Sequence, residues 1–280
     1  MGISNFAWHI IKNIESSGSS LGDVLTIGVQ QDYRIFKNNN NYLQPITSKI
    51  ESLDTAKKVD TLDISDYQGA NIIANLSEPL NKEIQKYNTV IDSGTIEHVF
   101  NIKQCIYNYI SLVAEGGTLM IETPCNNFAG HGFYQFSSEF FYNVLNFNFL
   151  FKEVKCYLVK YPISGSSVHP RAWICPDPKL IGRRVTLKSA DPMGILVIGK
   201  RSEVPLCSFE KFDIIQSDYV TEYKKANQGQ NFIKSSFKQK LFKKLPYFLQ
   251  HTYTNFKLNL ISSINNKSNF KPYKWNIMVD

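Results

Sequence analysis

Residues 88–99 read NTVIDSGTIEHV. Thr89, Val90 and Ile91 form a short β-branched run that reaches Asp92 and closes on Gly94. A brief apolar run bounded by a turn residue marks a strand buried on both faces. From Thr95 the period changes. Val99, Ile102, Ile106, Ile110 and Val113 recur at three- and four-residue steps, which predicts a helix over 95–113. Gly116 and Gly117 end that element, and TLMIET (118–123) reads as the next strand, stopped by Pro124. Strand, glycine turn, helix and strand in that order make a βαβ unit, whose crossover holds its two strands parallel.

The same pattern extends in both directions. DVLTIG (23–28) is a buried strand closing on Gly28, VDTLDIS (59–65) a second, and NIIANL (71–76) a third. Phe6, Ile10 and Ile14 predict a helix over 5–15, and FSSEFFYNVLNF (136–147) predicts another, with Ser137 as its N-cap. Two β-type runs, 149–160 and 193–201, have no helical pattern between them and should pair as a hairpin. The expected fold is three-layer α/β: a mostly parallel seven-stranded sheet with an antiparallel edge hairpin. Between the hairpin strands lies a Pro- and Gly-rich insertion (161–192), and insertions of that length are usually functional.

The charge is unevenly placed. The 280 residues carry 31 basic and 24 acidic side chains. Eleven lysines and one acid lie beyond residue 223, leaving 20 and 23 in the rest. The body is therefore slightly acidic and the tail strongly basic, with a lysine face on a helix predicted over 232–245. This is not the pattern of a nucleic-acid enzyme with a basic channel, and no nucleic-acid partner is expected. The tail could touch a membrane surface or another protein. Two units follow: a domain over 1–206, with 161–192 as an insertion above its site, and a basic helical extension over 207–280. The five cysteines are odd in number and form no C-x-x-C pair, so neither a disulfide framework nor a structural metal site is expected. No apolar run is long enough to span a bilayer, and the first residues lack a signal-peptide pattern; the expected compartment is the cytoplasm.

In open α/β sheets, ligands bind at the carboxyl ends of the strands. The residues there are Gly28 and Gln30 after the first strand, Asp63 and Ile64 at the end of the second, Asn75 and Leu76 after the third, and Asp92, Ser93, Glu97 and His98 after the fourth. The order DVLTIG, VDTLDIS, IDSGTIEHV and EGGTLMI resembles a class I S-adenosylmethionine-dependent methyltransferase, with a Rossmann-like fold. Within that superfamily the run GHGFYQFSSEFF (130–141) is similar to bacterial methyltransferases of surface-polysaccharide loci.

The resemblance covers roughly residues 20–200 and implies a role for each position. Gly28 would admit the methionine part of S-adenosyl-L-methionine and Gln30 would bond its amino-acid end. Asp63 would accept from the ribose hydroxyls, with Ile64 beside it. Asn75 and Leu76 would face adenine, while Asp92, Ser93, Glu97 and His98 would border cofactor and acceptor. S-adenosyl-L-homocysteine would be the product. The acceptor would be a small molecule, a nucleotide-linked sugar or a phosphate-bearing polysaccharide precursor, methylated on oxygen. The chain departs from the family in its first loop, where Val29, Gln30 and Gln31 replace the usual glycines. That leaves room for a non-catalytic cofactor-binding or scaffold protein. An NAD(P)-dependent oxidoreductase is a weaker alternative, since G-x-G-x-x-G is missing.

The loop after the fifth strand, NNFAGHGFYQ (126–135), sets polar and aromatic groups around glycines. His131 is the candidate general base, because imidazole titrates near ~6.5. Tyr134 and His98 are the other catalytic candidates. Asn127, Gln135, His169 and Arg171 are expected to bind substrate, and Arg183 and Arg184 could fork onto a phosphate.

Overall fold

A computed structural model describes residues 2–32, 45–66, 68–161, 170–219, 242 and 245–274. In chain order the elements are β1 (Gly2–Ile3), α1 (Asn5–Ser16), β2 (Gly22–Ile27), β3 (Gln31–Asp32), α2 (Thr47–Glu51), β4 (Ala56–Asp63), β5 (Ile72–Ile73) and β6 (Tyr87–Ser93). There follow α3 (Ile102–Leu112), β7 (Val113–Asn126), α4 (Ser138–Leu145), β8 (Phe151–Lys160), β9 (Ala172–Cys175), α5 (Pro178–Ile181), β10 (Met193–Arg201), α6 (Tyr247–Ser262) and β11 (Lys271–Pro272).

The main sheet has nine strands in the order β5-β4-β2-β6-β7-β10-β8-β9-β11. The pairings from β5 to β7 are parallel, and those from β7 to β11 are antiparallel. The expected seven-stranded, mostly parallel sheet is thus corrected to a mixed sheet of nine. The predicted hairpin does form, with Ile195 opposite Leu158. Its strand β10 lies between β8 and β7 and turns half the sheet antiparallel. The two extra strands come from segments whose patterns are too short to read: β9 from the insertion and β11 from the C-terminal segment.

Alternate residues of each central strand enter different cores, as the two-residue period of a strand requires. Leu25 and Ile27 of β2, with Leu119 and Ile121 of β7, pack beneath α3 and α4 with Tyr109 and Phe141. Val24 and Met120 face the other way and pack with Phe6, Ile10 and Ile11 of α1 and Ile50 of α2. The result is a Rossmann-like three-layer α/β arrangement. Helix α1 starts where Ser4 accepts from the Ala7 amide at 3.1 Å, and α4 starts at Ser137, as its sequence predicts.

Two local expectations change. The strand over 71–76 shrinks to Ile72–Ile73. The helix over 95–113 is broken into a single 3-10 turn, Ile96–His98, and α3. Asp92 closes that turn by accepting from the Thr95 and Ile96 amides at 2.8 and 3.0 Å. Val99 is extended, and the Asn101 side chain caps the restarted helix. The apolar spacing runs through the break, so periodicity could not show it.

The helix predicted over 232–245 lies outside the described residues except for Phe242 and Leu245. After the exposed α6 the chain returns to the body. Phe270 is buried in the α3/α4 core, and Tyr273 meets Phe6 and Tyr157 edge-on at centroid distances of 5.2 and 5.5 Å. Among the described residues no helix is long and apolar enough to cross a membrane. Phe270 therefore ties the C-terminal segment to the core. Phe270→Ala should lower the unfolding free energy by about 3–5 kcal/mol, the usual loss for a buried phenylalanine, read from urea denaturation.

Candidate active site

The parallel half of the sheet presents its carboxyl ends in one row. The direction in which strands are added reverses at β2, because β4 lies on one flank of β2 and β6 on the other. Such a switch point leaves a crevice between the two strand ends. Gly28 follows β2 with φ of 71°, a left-handed conformation that glycine adopts without strain, and its amide donates to the Leu62 carbonyl at 2.7 Å. Asp63 ends β4. One carboxylate oxygen accepts from the Val29 amide at 3.1 Å and the other from the Ile64 amide at 2.6 Å. Each oxygen keeps a lone pair, and the side chain is half-buried. Next to it, Ile64 is 70% exposed, an apolar surface beside an acceptor.

The other cofactor candidates divide. Gln30 is fully buried and its amide turns back onto the Ile27 carbonyl. It faces the protein rather than the crevice. Asn75 caps its own turn, accepting from the Ser77 amide at 3.0 Å, and Leu76 sits in the core. Asp92 is fully buried. Besides its two amide bonds it accepts from the Tyr109 hydroxyl at 3.1 Å. Burial, then the nearby charge of Glu97, pushes its carboxyl up to about 7 against the opposing pull of those hydrogen bonds.

Ser93 joins a buried network that the sequence did not announce. Its hydroxyl lies 2.8 Å from the Gly2 carbonyl and 2.9 Å from Glu122 Oε2. The other Glu122 oxygen accepts from Ser4 at 2.6 Å and from the Tyr161 hydroxyl at 2.8 Å. Burial raises the Glu122 carboxyl above its ordinary value. A single Ser93 proton cannot serve two acceptors, and a proton on Glu122 Oε2 satisfies the count. The network fastens the N-terminal segment across the ends of β6 and β7.

The third group of residues surrounds Glu97, which is fully buried. Its Oε2 accepts from Thr123 at 2.8 Å. Its Oε1 faces His131 Nε2 at 3.5 Å and His98 Nε2 at 4.0 Å and accepts no hydrogen bond among the described residues. The two imidazoles are half exposed and meet edge-on at 5.2 Å. The Glu97 carbonyl accepts from the Phe133 amide at 2.7 Å, drawing the 126–135 loop against the turn. Gly132 permits this: a Cβ there would lie 2.8 Å from that carbonyl oxygen.

The loop's other side chains hold the loop itself. Tyr134 donates to the Phe100 carbonyl at 2.7 Å, and Gln135 accepts from the Phe128 amide at 2.9 Å. Asn127 donates to the Ser189 and Asp191 carbonyls at 2.6 and 3.1 Å, tying the loop to the insertion.

The insertion's own candidates stand apart. His169 lies outside the described residues. Arg171 precedes β9, three strand spacings from β7 or roughly 14 Å, and stacks over Trp173. Arg183 donates to Ser268, and Arg184 pairs with Asp218. A cavity of about 860 Å³ lies at the opposite, amino ends of β6 and β7, lined by Asn13, Asn88, Glu115 and Lys155 among others. It is remote from the Glu97 cluster. Glu122 and Thr123, at the heart of the site, were missed. The signal for them was two polar residues inside an otherwise apolar strand pattern.

No family model and no curated protein matches the chain. Several solved structures do. One is a methyltransferase from Thermotoga maritima described as S-adenosylmethionine-dependent and a possible histamine N-methyltransferase. It is 11% identical with a TM-score of 0.44 and covers 71% of this chain and 90% of its own. The N-methyltransferase NodS of Bradyrhizobium japonicum, in complex with S-adenosylhomocysteine, is 12% identical with a TM-score of 0.39, over 71% and 89% of the two chains. A Burkholderia thailandensis 1,6-didemethyltoxoflavin N1-methyltransferase with bound S-adenosylhomocysteine is 11% identical with a TM-score of 0.42, over 72% and 80%.

Asp92 gives the site a pH signature. The folded carboxyl keeps its proton to about pH 7, whereas the unfolded one releases it near ~3.9. The stabilisation from protonated Asp92 is complete below ~4 and is lost as pH rises toward 7. Urea midpoints should fall across that window, and the fall should be smaller in Asp92→Asn.

Proposed function

We propose that the protein is an enzyme that transfers a methyl group from S-adenosyl-L-methionine to an oxygen of a small acceptor. The observation that carries this reading is the pair formed by Gly28 and Asp63. A left-handed glycine leaves the first strand beside an acid that ends the second, and each oxygen of that acid keeps a lone pair next to the exposed Ile64. These features fit the cofactor's parts: a close backbone approach for the methionine portion, two acceptors for a ribose diol and an apolar surface for adenine. When bound, the cofactor supplies an electrophilic methyl group on a sulfonium centre.

The chain's own work is then alignment and proton handling. The acceptor stands over the Glu97 cluster, where His131 takes the proton that the acceptor hydroxyl gives up. Glu97, at 3.5 Å, stabilises the imidazolium that results. His98 lies against the same carboxylate and positions the acceptor. Phe100 and Phe133, exposed and 5.7 Å apart by ring centroid, flank this face with apolar surface. By family resemblance the acceptor is a sugar or phosphate-bearing precursor of a surface polysaccharide, handled in the cytoplasm. The lysines of the C-terminal extension would meet an anionic membrane surface or a partner protein.

Two measurements test the reading. S-adenosylhomocysteine should bind in a calorimetric titration, and Asp63→Ala should weaken it by roughly ten- to a hundredfold, the worth of a charged hydrogen bond. No heat from the wild type at saturating ligand would refute the methyltransferase reading. With an acceptor in hand, His131→Ala should reduce kcat by about 10²–10⁴ and leave S-adenosylhomocysteine affinity unchanged. Turnover at the wild-type rate would remove the base from the mechanism.

A further inference from the structure

Glu97, His98 and His131 each offer a ligand atom, and these atoms all lie within 4.8 Å of one another. We propose that this cluster is a binding site for a divalent transition-metal ion of the zinc class. Glu97 is the stronger half of the argument. A fully buried carboxylate oxygen that accepts no hydrogen bond is costly, because burial strips its water and nothing replaces it. The nearest donor, His131 Nε2, is 3.5 Å away, too far for a good hydrogen bond. A cation seated among the three ligand atoms would satisfy the orphaned oxygen and both imidazoles together.

The donor set selects the ion. Two imidazoles and one carboxylate suit zinc-like ions, whereas Mg²⁺ and Ca²⁺ prefer all-oxygen shells. Metal–ligand bonds of about 2.0–2.1 Å in a tetrahedron put donors roughly 3.3 Å apart. The His131–Glu97 separation of 3.5 Å is close to that, and His98 at 4.0 Å needs a small side-chain adjustment that its exposure allows. The outer shell is prepared as well. Thr123 donates to the second Glu97 oxygen and fixes the carboxylate, as outer partners do for metal ligands. Three protein ligands leave at least one position for an outside oxygen, and the half-exposed imidazoles leave it reachable from solvent. With an ion bound, His131 would serve as a ligand, and the ion would instead make an acceptor hydroxyl placed on it more acidic. The site itself stands independently of the methyl-transfer reading.

The test uses the full chain after treatment with a chelator. Calorimetry should show one Zn²⁺ bound per chain, and Co²⁺ should give visible d–d absorption of a nitrogen- and oxygen-ligated ion. His98→Ala and His131→Ala should each weaken Zn²⁺ at least ~10-fold, since even outer-shell losses cost ten- to a hundredfold. Their melting temperatures should stay at the wild-type value. His251→Ala, in the exposed α6, should bind as the wild type does. No Zn²⁺ heat, or affinity retained in both imidazole variants, overturns the proposal. S-adenosylhomocysteine titrated into the same samples keeps the two readings apart. Zn²⁺ binding without it sinks the methyltransferase and leaves the metal site, and the converse sinks the metal site alone.

Discussion

One buried carboxylate organises the site. Glu97 is sealed from solvent, and its surroundings supply a hydrogen bond to one of its two oxygens only. Thr123 donates to one oxygen, two imidazoles converge on the other, and the backbone carbonyl of the same residue anchors the 126–135 loop. These links join the turn after β6, the end of β7 and the loop beyond it. Gly132 is the steric condition for the arrangement, since a side chain there would push the loop off Glu97.

Three acids at the strand ends are kept in three different states by their surroundings. Asp63 is half-buried and accepts one amide on each oxygen, which leaves each oxygen a further lone pair. Asp92 is buried beneath the same edge and caps the 3-10 turn, with its carboxyl raised toward neutrality. Glu122 is buried with three hydroxyl partners and clamps the N-terminal segment. Residue type alone would give all three the same role. The difference lies in solvent access and in the count of donors.

The antiparallel half of the sheet has a structural task of its own. β10 carries the sheet across from β7 to β8, and β9 and β11 extend it to a far edge. That edge recruits the insertion and the C-terminal segment, which a reading of patterns assigns to separate units. Arg183 and Arg184 illustrate the consequence: they join the insertion to Ser268 and Asp218, and Arg184 is paired there with an acid.

The sequence by itself determined the order of the five parallel strands between 23 and 123, the N-cap at Ser137, the pairing of 149–160 with 193–201 and the position of Asp63 at a strand end. Each is a local matter of period, turn chemistry or capping, and local rules report it. Only the tertiary structure decided that Gln30 turns inward, that the helix after Asp92 breaks, and that the sheet gains β9 and β11. Strands of two and four residues carry too little pattern to be read, and apolar spacing continues unchanged through a capped break. Likewise Glu97 and His131 are both visible as candidates, yet nothing in their separate neighbourhoods tells that they meet. Their contact depends on parallel pairing between β6 and β7, which sets two loops side by side; it is therefore a property of the folded sheet.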